Sequence, residues 1–197
     1  MPIYITIIHE DELSEAVMTR LLMHFGDKFE IVHSYPGNGF GYLKKNIRGF
    51  NQAAIVNPYF MLTDLDNYPC AIQLKDEWID FDISRNFIFR IAVREVESWL
   101  LADKEGIAAF FNIPVPLITD SPDLLQDPKN TLIQLAKRSR KRVIREDIVP
   151  INSNAAIGPN YNGCLSEFIY QSWNVERAIT RSPSLLKAYS HLMNFSI

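Results

Sequence analysis

Asp64 and Asp66 stand two positions apart at the end of the apolar run Tyr59-Phe60-Met61-Leu62. Carboxylate oxygens suit a hard divalent cation such as Mg²⁺ or Mn²⁺, which makes this pair the clearest chemical signal in the chain. The run is too short and too apolar for a solvated helix and reads as a buried strand of a parallel sheet. Side chains alternate along a strand, so both carboxylates are expected on one face at its carboxyl end. Ligand sites of open α/β sheets lie at that edge.

Two further acidic clusters follow apolar runs in the same way: Glu10 to Glu12 after Ile3–Ile8, and Glu95 with Glu97 after Asn86–Val93. Strand ends lying side by side would gather them. Charge developing on a phosphoryl group calls for a metal held by carboxylates, with a further acidic or basic group handling the proton. Each member also has a plainer reading. Asp11 and Glu95 sit where helix N-caps belong. Glu97 is a third ligand or a partner for Arg94 at i,i+3. Trp99, Leu100 and Leu101 read as core, and Asp103 as a helix-end residue. His9 is a proton carrier beside Glu10 or simply a hydrogen-bonded strand-end histidine. His24, His33 and His191 have no zinc-ligand spacing.

The elements that must position these residues alternate. After the first strand, Ser14 is a plausible N-cap for a helix carrying Val17, Leu21, Leu22 and Phe25, with Gly26 as its stop. Phe29–Ser34 reads as a second strand, 36–41 as a glycine-rich loop, and Lys44–Ala54 as a crossover helix. Ile72–Trp78 and Arg94–Asp103 read as helices around the strand at Asn86–Val93. Strand–helix alternation predicts an α/β fold with a mostly parallel sheet flanked by helices. Beyond Gly106 the prolines Pro114, Pro116, Pro122 and Pro128 separate short helices, of which Lys129–Arg138 is the clearest. The expected organisation is an α/β core over 1–105 and a helical extension over 106–197, packed on that core as one structural unit.

The 197 residues are 47% hydrophobic and 22% charged, with a formal net charge of −3. This is the balance of an ordinary globular protein. No apolar run approaches the ~20 residues a bilayer requires, and the first residues lack the basic region of a signal peptide. A reduced cytoplasmic protein is expected, because Cys70 and Cys164 are too few and too far apart for a disulfide framework. Overall charge gives no nucleic-acid signature, yet cations cluster locally. Lys44, Lys45 and Arg48 follow the glycine loop. Lys137, Arg138, Arg140, Lys141, Arg142 and Arg145 form a dense run, read either as a solvated helix face or as a track for a phosphate backbone.

A glutamate closing a first strand and an Asp-x-Asp closing a later one resemble the Toprim domain of topoisomerases, bacterial primases and the overcoming-lysogenization-defect (OLD) nucleases. The first motif here is Ile-Thr-Ile-Ile-His-Glu-Asp-Glu-Leu-Ser-Glu-Ala, matching Glu10. The second, Met-Leu-Thr-Asp-Leu-Asp-Asn, matches Asp64 and Asp66. The segment Val93-Arg94-Glu95-Val96-Glu97-Ser98-Trp99-Leu100-Leu101-Ala102-Asp103 is similar to one in small stand-alone bacterial relatives, some encoded near defence and mobile-element genes. The resemblance runs from residue 3 to about residue 103. Asp11 replaces the glycine that usually follows the glutamate, which leaves the register open between Glu10 and Glu12. The ATPase domain that accompanies the family's nucleases has no counterpart motif here.

The resemblance implies a Rossmann-like sheet and a Mg²⁺- or Mn²⁺-dependent nuclease. Glu10, Asp64 and Asp66 would hold the metal, and Glu97 would complete or orient the site. Lys44, Lys45, Arg48, Arg138, Arg140, Lys141 and Arg142 would bind DNA or RNA. The other reading is a non-catalytic partner that binds metal with nucleotide or nucleic acid, acting beside an ATPase encoded nearby. A phosphoacceptor of the response-regulator kind lacks a suitable lysine at a later strand end.

Overall fold

The computed structural model describes residues 1–37 and 39–197; Asn38, in the loop expected over 36–41, lies outside them. The chain divides into two compact units, Met1–Val93 with Lys187–Ile197, and Arg94–Leu186. The division falls after the fourth strand rather than near residue 105, and the last residues of the chain belong with the first unit. Among the described residues no helix is long and apolar enough to cross a membrane.

The first unit is an α/β sheet. Strands β1 (Ile3–His9), β2 (Phe29–Pro36), β3 (Tyr59–Asp64) and β4 (Phe87–Ala92) are all parallel, in the order β2-β1-β3-β4. Parallel neighbours require crossovers, and these are α1 (Glu12–Met23), α2 (Phe40–Ala53) and α3 (Ala71–Trp78). The chain runs from β1 outward to β2 and then back to the far side of β1. The order therefore reverses between β1 and β3, the crevice where ligands of such sheets bind.

Strand alternation assigns the two faces. Ile8, Met61, Phe87, Phe89 and Ile91 share a buried cluster with Leu43 and Ile47 of α2 and Leu74 and Trp78 of α3. Ile5, Ile7, Phe60, Leu62 and Ile88 have the opposite parity and are buried on the other face, where α1 packs across β1, β2 and β3. A strand buried on both faces loses the alternating polar pattern, which is why Phe60-Met61-Leu62 reads as one apolar block.

The second unit is helical: α4 (Val96–Ala102), α5 (Lys104–Phe111), α6 (Pro128–Lys137), α7 (Arg142–Ile148), α8 (Tyr161–Gln171) and α9 (Val175–Ile179), followed by the start of α10 (Pro183–Asn194). Trp99, Leu100 and Leu101 are fully buried, as expected of core residues. Trp99 Nε1 donates to Ser184 Oγ at 2.7 Å, and the Trp99 carbonyl accepts from Trp173 Nε1 at 3.2 Å.

Several boundaries differ from those read in the sequence, for local reasons. Asp11, not Ser14, caps α1, its carboxylate accepting from the Ser14 N–H at 2.8 Å. Helix α1 ends at Met23, and Gly26, at φ +58°, opens a short 3₁₀ turn instead of stopping the helix. Helix α2 starts at Phe40 and so absorbs Gly41. The helix expected over 94–103 breaks at Asp103, which caps α5 by accepting from the Gly106 N–H. The basic run is not one helix face, since α6 stops at Lys137 and α7 begins at Arg142.

Candidate functional site

Parallel pairing of β1 with β3 sets Ile8 opposite Met61, so the residue just beyond β1 meets the last residues of β3 at the carboxyl edge of the sheet. Glu10 Oε1 there accepts from Thr63 Oγ1 and, at 3.0 Å, from the Asp64 N–H. The backbone continues this edge into β4, where the Leu65 N–H donates to the Ala92 carbonyl. Of the two glutamates left open by the sequence, Glu10 is the one against β3. Glu12 is the first residue of α1 and is exposed.

Asp64 is the last residue of β3 and half-buried. Asp66 does not continue the strand alternation: it sits in the following turn at φ +48° and is exposed. Aspartate is one of the few residues that tolerate this left-handed backbone. The two carboxylates are therefore set by a strand end and a turn rather than by a shared strand face.

Burial is the largest influence on the Glu10 carboxyl and pushes it above the usual carboxylate range. The bonds from Thr63 and Asp64 oppose this, while the charges of Asp66 and Asp11 push the same way. The charges of Asp66 and Asp11 thus both oppose that of Glu10 at the reversal point of the sheet, an opposition that a bound cation relieves. Among the described residues no group of three or more His, Cys, Asp or Glu side chains is arranged to enclose a metal ion. Mg²⁺ is commonly held by one or two carboxylates, with waters and substrate phosphates completing its shell. The donor chemistry of Glu10, Asp64 and Asp66 fits such an ion.

His9 is buried at the end of β1, its Nδ1 donating to the Asp11 carbonyl at 2.8 Å and its Nε2 lying 2.9 Å from Ser34 Oγ. Both ring nitrogens are engaged, in line with the plainer reading. The Gly37 N–H donates to the His9 carbonyl at 2.6 Å. A Cβ at Gly37 would stand 2.8 Å from that oxygen and 2.3 Å from Leu43 Cδ2. Glycine is favoured here by close approach to the end of β1.

Glu97 belongs to the second unit and is 1 % exposed. Tyr161 OH donates to its Oε1 at 2.9 Å, Lys129 Nζ lies 3.7 Å away, and its Oε2 is buried without a hydrogen-bond partner. Burial, with the neighbouring Glu95 charge adding and Lys129 opposing, raises the carboxyl to about 7. Glu95 occupies the N-cap position of α4, yet its carboxylate accepts from the Lys129 N–H at 2.9 Å, at the start of α6. Asp103 is fully buried and bonded to Arg177 at 2.7 and 3.0 Å, a structural helix-end residue as expected.

The candidate cations fare differently. Lys44 pairs with Glu77, and Arg48 pairs with Asp80 at 2.6 Å and stacks on Phe81; both are neutralised locally. Lys45 is exposed, as are Arg138, Arg140, Lys141 and Arg142 in the second unit. Arg142 pairs with Glu146, and Lys141 lies over the Phe110 ring. The sequence reading missed Thr63, Lys129 and Tyr161. Thr63 directly precedes Asp64 but reads as an ordinary strand residue, and the other two become neighbours of Glu97 only through folding. Compared with protein families, curated proteins and solved structures, the chain gives no match.

Proposed function

We propose that the protein is a Mg²⁺-dependent phosphodiester hydrolase acting on nucleic acid. The observation that supports this reading is the meeting of Glu10 with the end of β3 and its Asp64-x-Asp66 carboxylates, at the point where the strand order reverses. Glu10, Asp64 and Asp66 would hold the metal, which when bound supplies positive charge to a phosphoryl group and acidifies a water. The Asp64 N–H and Thr63 fix one oxygen of Glu10, orienting the other. Because burial favours the protonated form of Glu10, its carboxyl is suited to hold or release a proton at a higher pH than an exposed carboxylate. The parallel arrangement also directs the N-termini of α1 and α2 toward this edge, which favours a phosphate. Lys45 and the exposed Arg138, Arg140, Lys141 and Arg142 supply non-specific backbone contacts.

The test is cleavage of plasmid, linear duplex, single-stranded DNA and RNA with Mg²⁺ or Mn²⁺, comparing wild type with Asp64→Ala/Asp66→Ala. Metal-dependent cutting that disappears in the double variant is the expected result; equal cutting by both proteins refutes it. The second reading is a non-catalytic metal- and nucleic-acid-binding partner in a defence or mobile-element system, working with a separate ATPase. Its motive is that Thr63 and the Asp64 N–H both bond one Glu10 oxygen, as in a structural carboxylate. Mn²⁺ binding by calorimetry without turnover on any substrate would favour it.

A further inference from the structure

The outer strand β4 carries a charge arrangement that the acidic site does not explain. Arg90 is only partly exposed, and its Nε is buried without a hydrogen-bond partner. Its other nitrogens reach only neutral groups: NH1 donates to the Phe89 carbonyl at 3.3 Å and NH2 to Nδ1 of His191. Buried guanidinium groups are ordinarily paired with carboxylates, and among the described residues none pairs with Arg90.

Two more cations stand on the same edge. Lys187 is exposed on α10 one turn before His191, at i,i+4, and so on the helix face that touches Arg90. Lys75 is half-buried on α3, which packs through Trp78 on Phe89, on the face of β4 opposite Arg90. Because β4 is the outer strand, the two faces meet at its open edge, and the charge of Arg90 acts on Lys75 there. Burial lowers Lys75 below the ordinary lysine value, and the charges of Arg90 and Lys187 lower it further. Among the described residues none of the three has an acidic partner. All belong to the first unit. Like charges brought together without a counter-charge disfavour the fold, and an anion between them reverses the sign of that contribution.

We propose that the β4 edge is a binding site for a phosphate group, with Arg90, Lys75 and Lys187 as its cationic ligands. The phosphate comes from a nucleic-acid backbone or from a free phosphate; the first source rests on the function proposed above, the second does not. Guanidinium and ammonium donors suit a tetrahedral oxyanion presenting several acceptors.

The experiment measures melting temperature in inorganic phosphate and in sodium chloride at equal ionic strength, for wild type, Lys75→Gln and Lys187→Gln. Neither lysine is fully buried, so both variants should fold. The expected result is a higher melting temperature in phosphate for wild type and a diminished shift in each variant. No shift in wild type, or the same shift in all three proteins, overturns the proposal. A labelled oligonucleotide bound in the presence of a chelator then separates the sources. A roughly three- to fivefold weaker Kd in each variant assigns the site to a nucleic-acid backbone. Unchanged oligonucleotide affinity with a lost phosphate shift assigns it to free phosphate. Because cleavage by the Asp64→Ala/Asp66→Ala protein is scored separately, failure of the hydrolase reading leaves this result standing.

Discussion

Glu97 is a carboxyl group almost wholly out of water, with one oxygen bonded by Tyr161 and the other left without a partner. Its folded value of about 7 lies above the ordinary 4.5, so between these values the folded chain holds a proton that the unfolded chain has lost. The sign follows: this group's contribution to stability is complete below its unfolded value and is lost as pH rises through about 7. The loss is on the order of 3 kcal/mol. Denaturant unfolding of wild type at about pH 5 and about pH 8 should show it, and Glu97→Gln, which cannot ionise, should flatten the difference. Equal slopes in the two proteins would refute this assignment. Thr63 acts in the opposite sense on Glu10: its hydroxyl favours the ionised form. Thr63→Val should therefore move the Glu10 titration to higher pH, observable by side-chain NMR, and should shift the acid limb of any cleavage profile the same way.

The inner strand β3 and its neighbour β4 were legible because they are buried along most of their length. They read as blocks of apolar residues between polar turns, as in Phe60-Met61-Leu62 and Phe87-Ile88-Phe89, whereas β2 is largely exposed beyond Phe29 and carries no such block. Helix ends were less so, because they depend on which side chain turns back to cap. Asp11 and Ser14 both have capping chemistry, and only the fold decides that Asp11 accepts from Ser14. The position of Asp66 was hidden for a similar reason: strand periodicity extends only as far as the strand, and β3 stops at Asp64. Two substitutions test these local fits by thermal or chemical unfolding. Asp11→Ala removes the cap of α1 and should cost about 1 kcal/mol, while also removing one charge that raises Glu10. Gly37→Ala brings a Cβ to within 2.8 Å of the His9 carbonyl, a backbone atom that cannot rotate away. A loss of roughly 1–3 kcal/mol is expected. An unchanged midpoint would show that the end of β1 yields more readily than the contact implies.

At the scale of the whole chain, the sequence pattern separates a strand-rich part from a helical one, but it cannot show that the chain returns to its beginning. The pairings that make Lys187–Ile197 part of the first unit join distant residues, 101 positions apart for Arg90 and His191 and 164 for Lys28 and Leu192. Lys28 Nζ donates to the carbonyls of Leu192 and Met193 at 2.8 and 2.6 Å. Those carbonyls belong to the last turn of α10, where a cation satisfies groups that have no partner within the helix. Tyr189 packs on Phe25 with ring centroids 5.1 Å apart, Phe195 lies 6.4 Å from Phe29, and Leu192 is fully buried. Removing residues 187–197 should therefore destabilise the parallel sheet rather than merely trim a tail. The expected cost is several kcal/mol, since burying each large apolar side chain contributes about 1.5–3 kcal/mol. Hydrogen exchange read by mass spectrometry locates the effect. Protection should fall in α1 and β2, which the returning segment touches through Phe25, Lys28 and Phe29 near their junction. If the shortened chain kept the protection of β2 and its melting temperature, these contacts would contribute nothing to the fold, and the first unit would be complete at Val93.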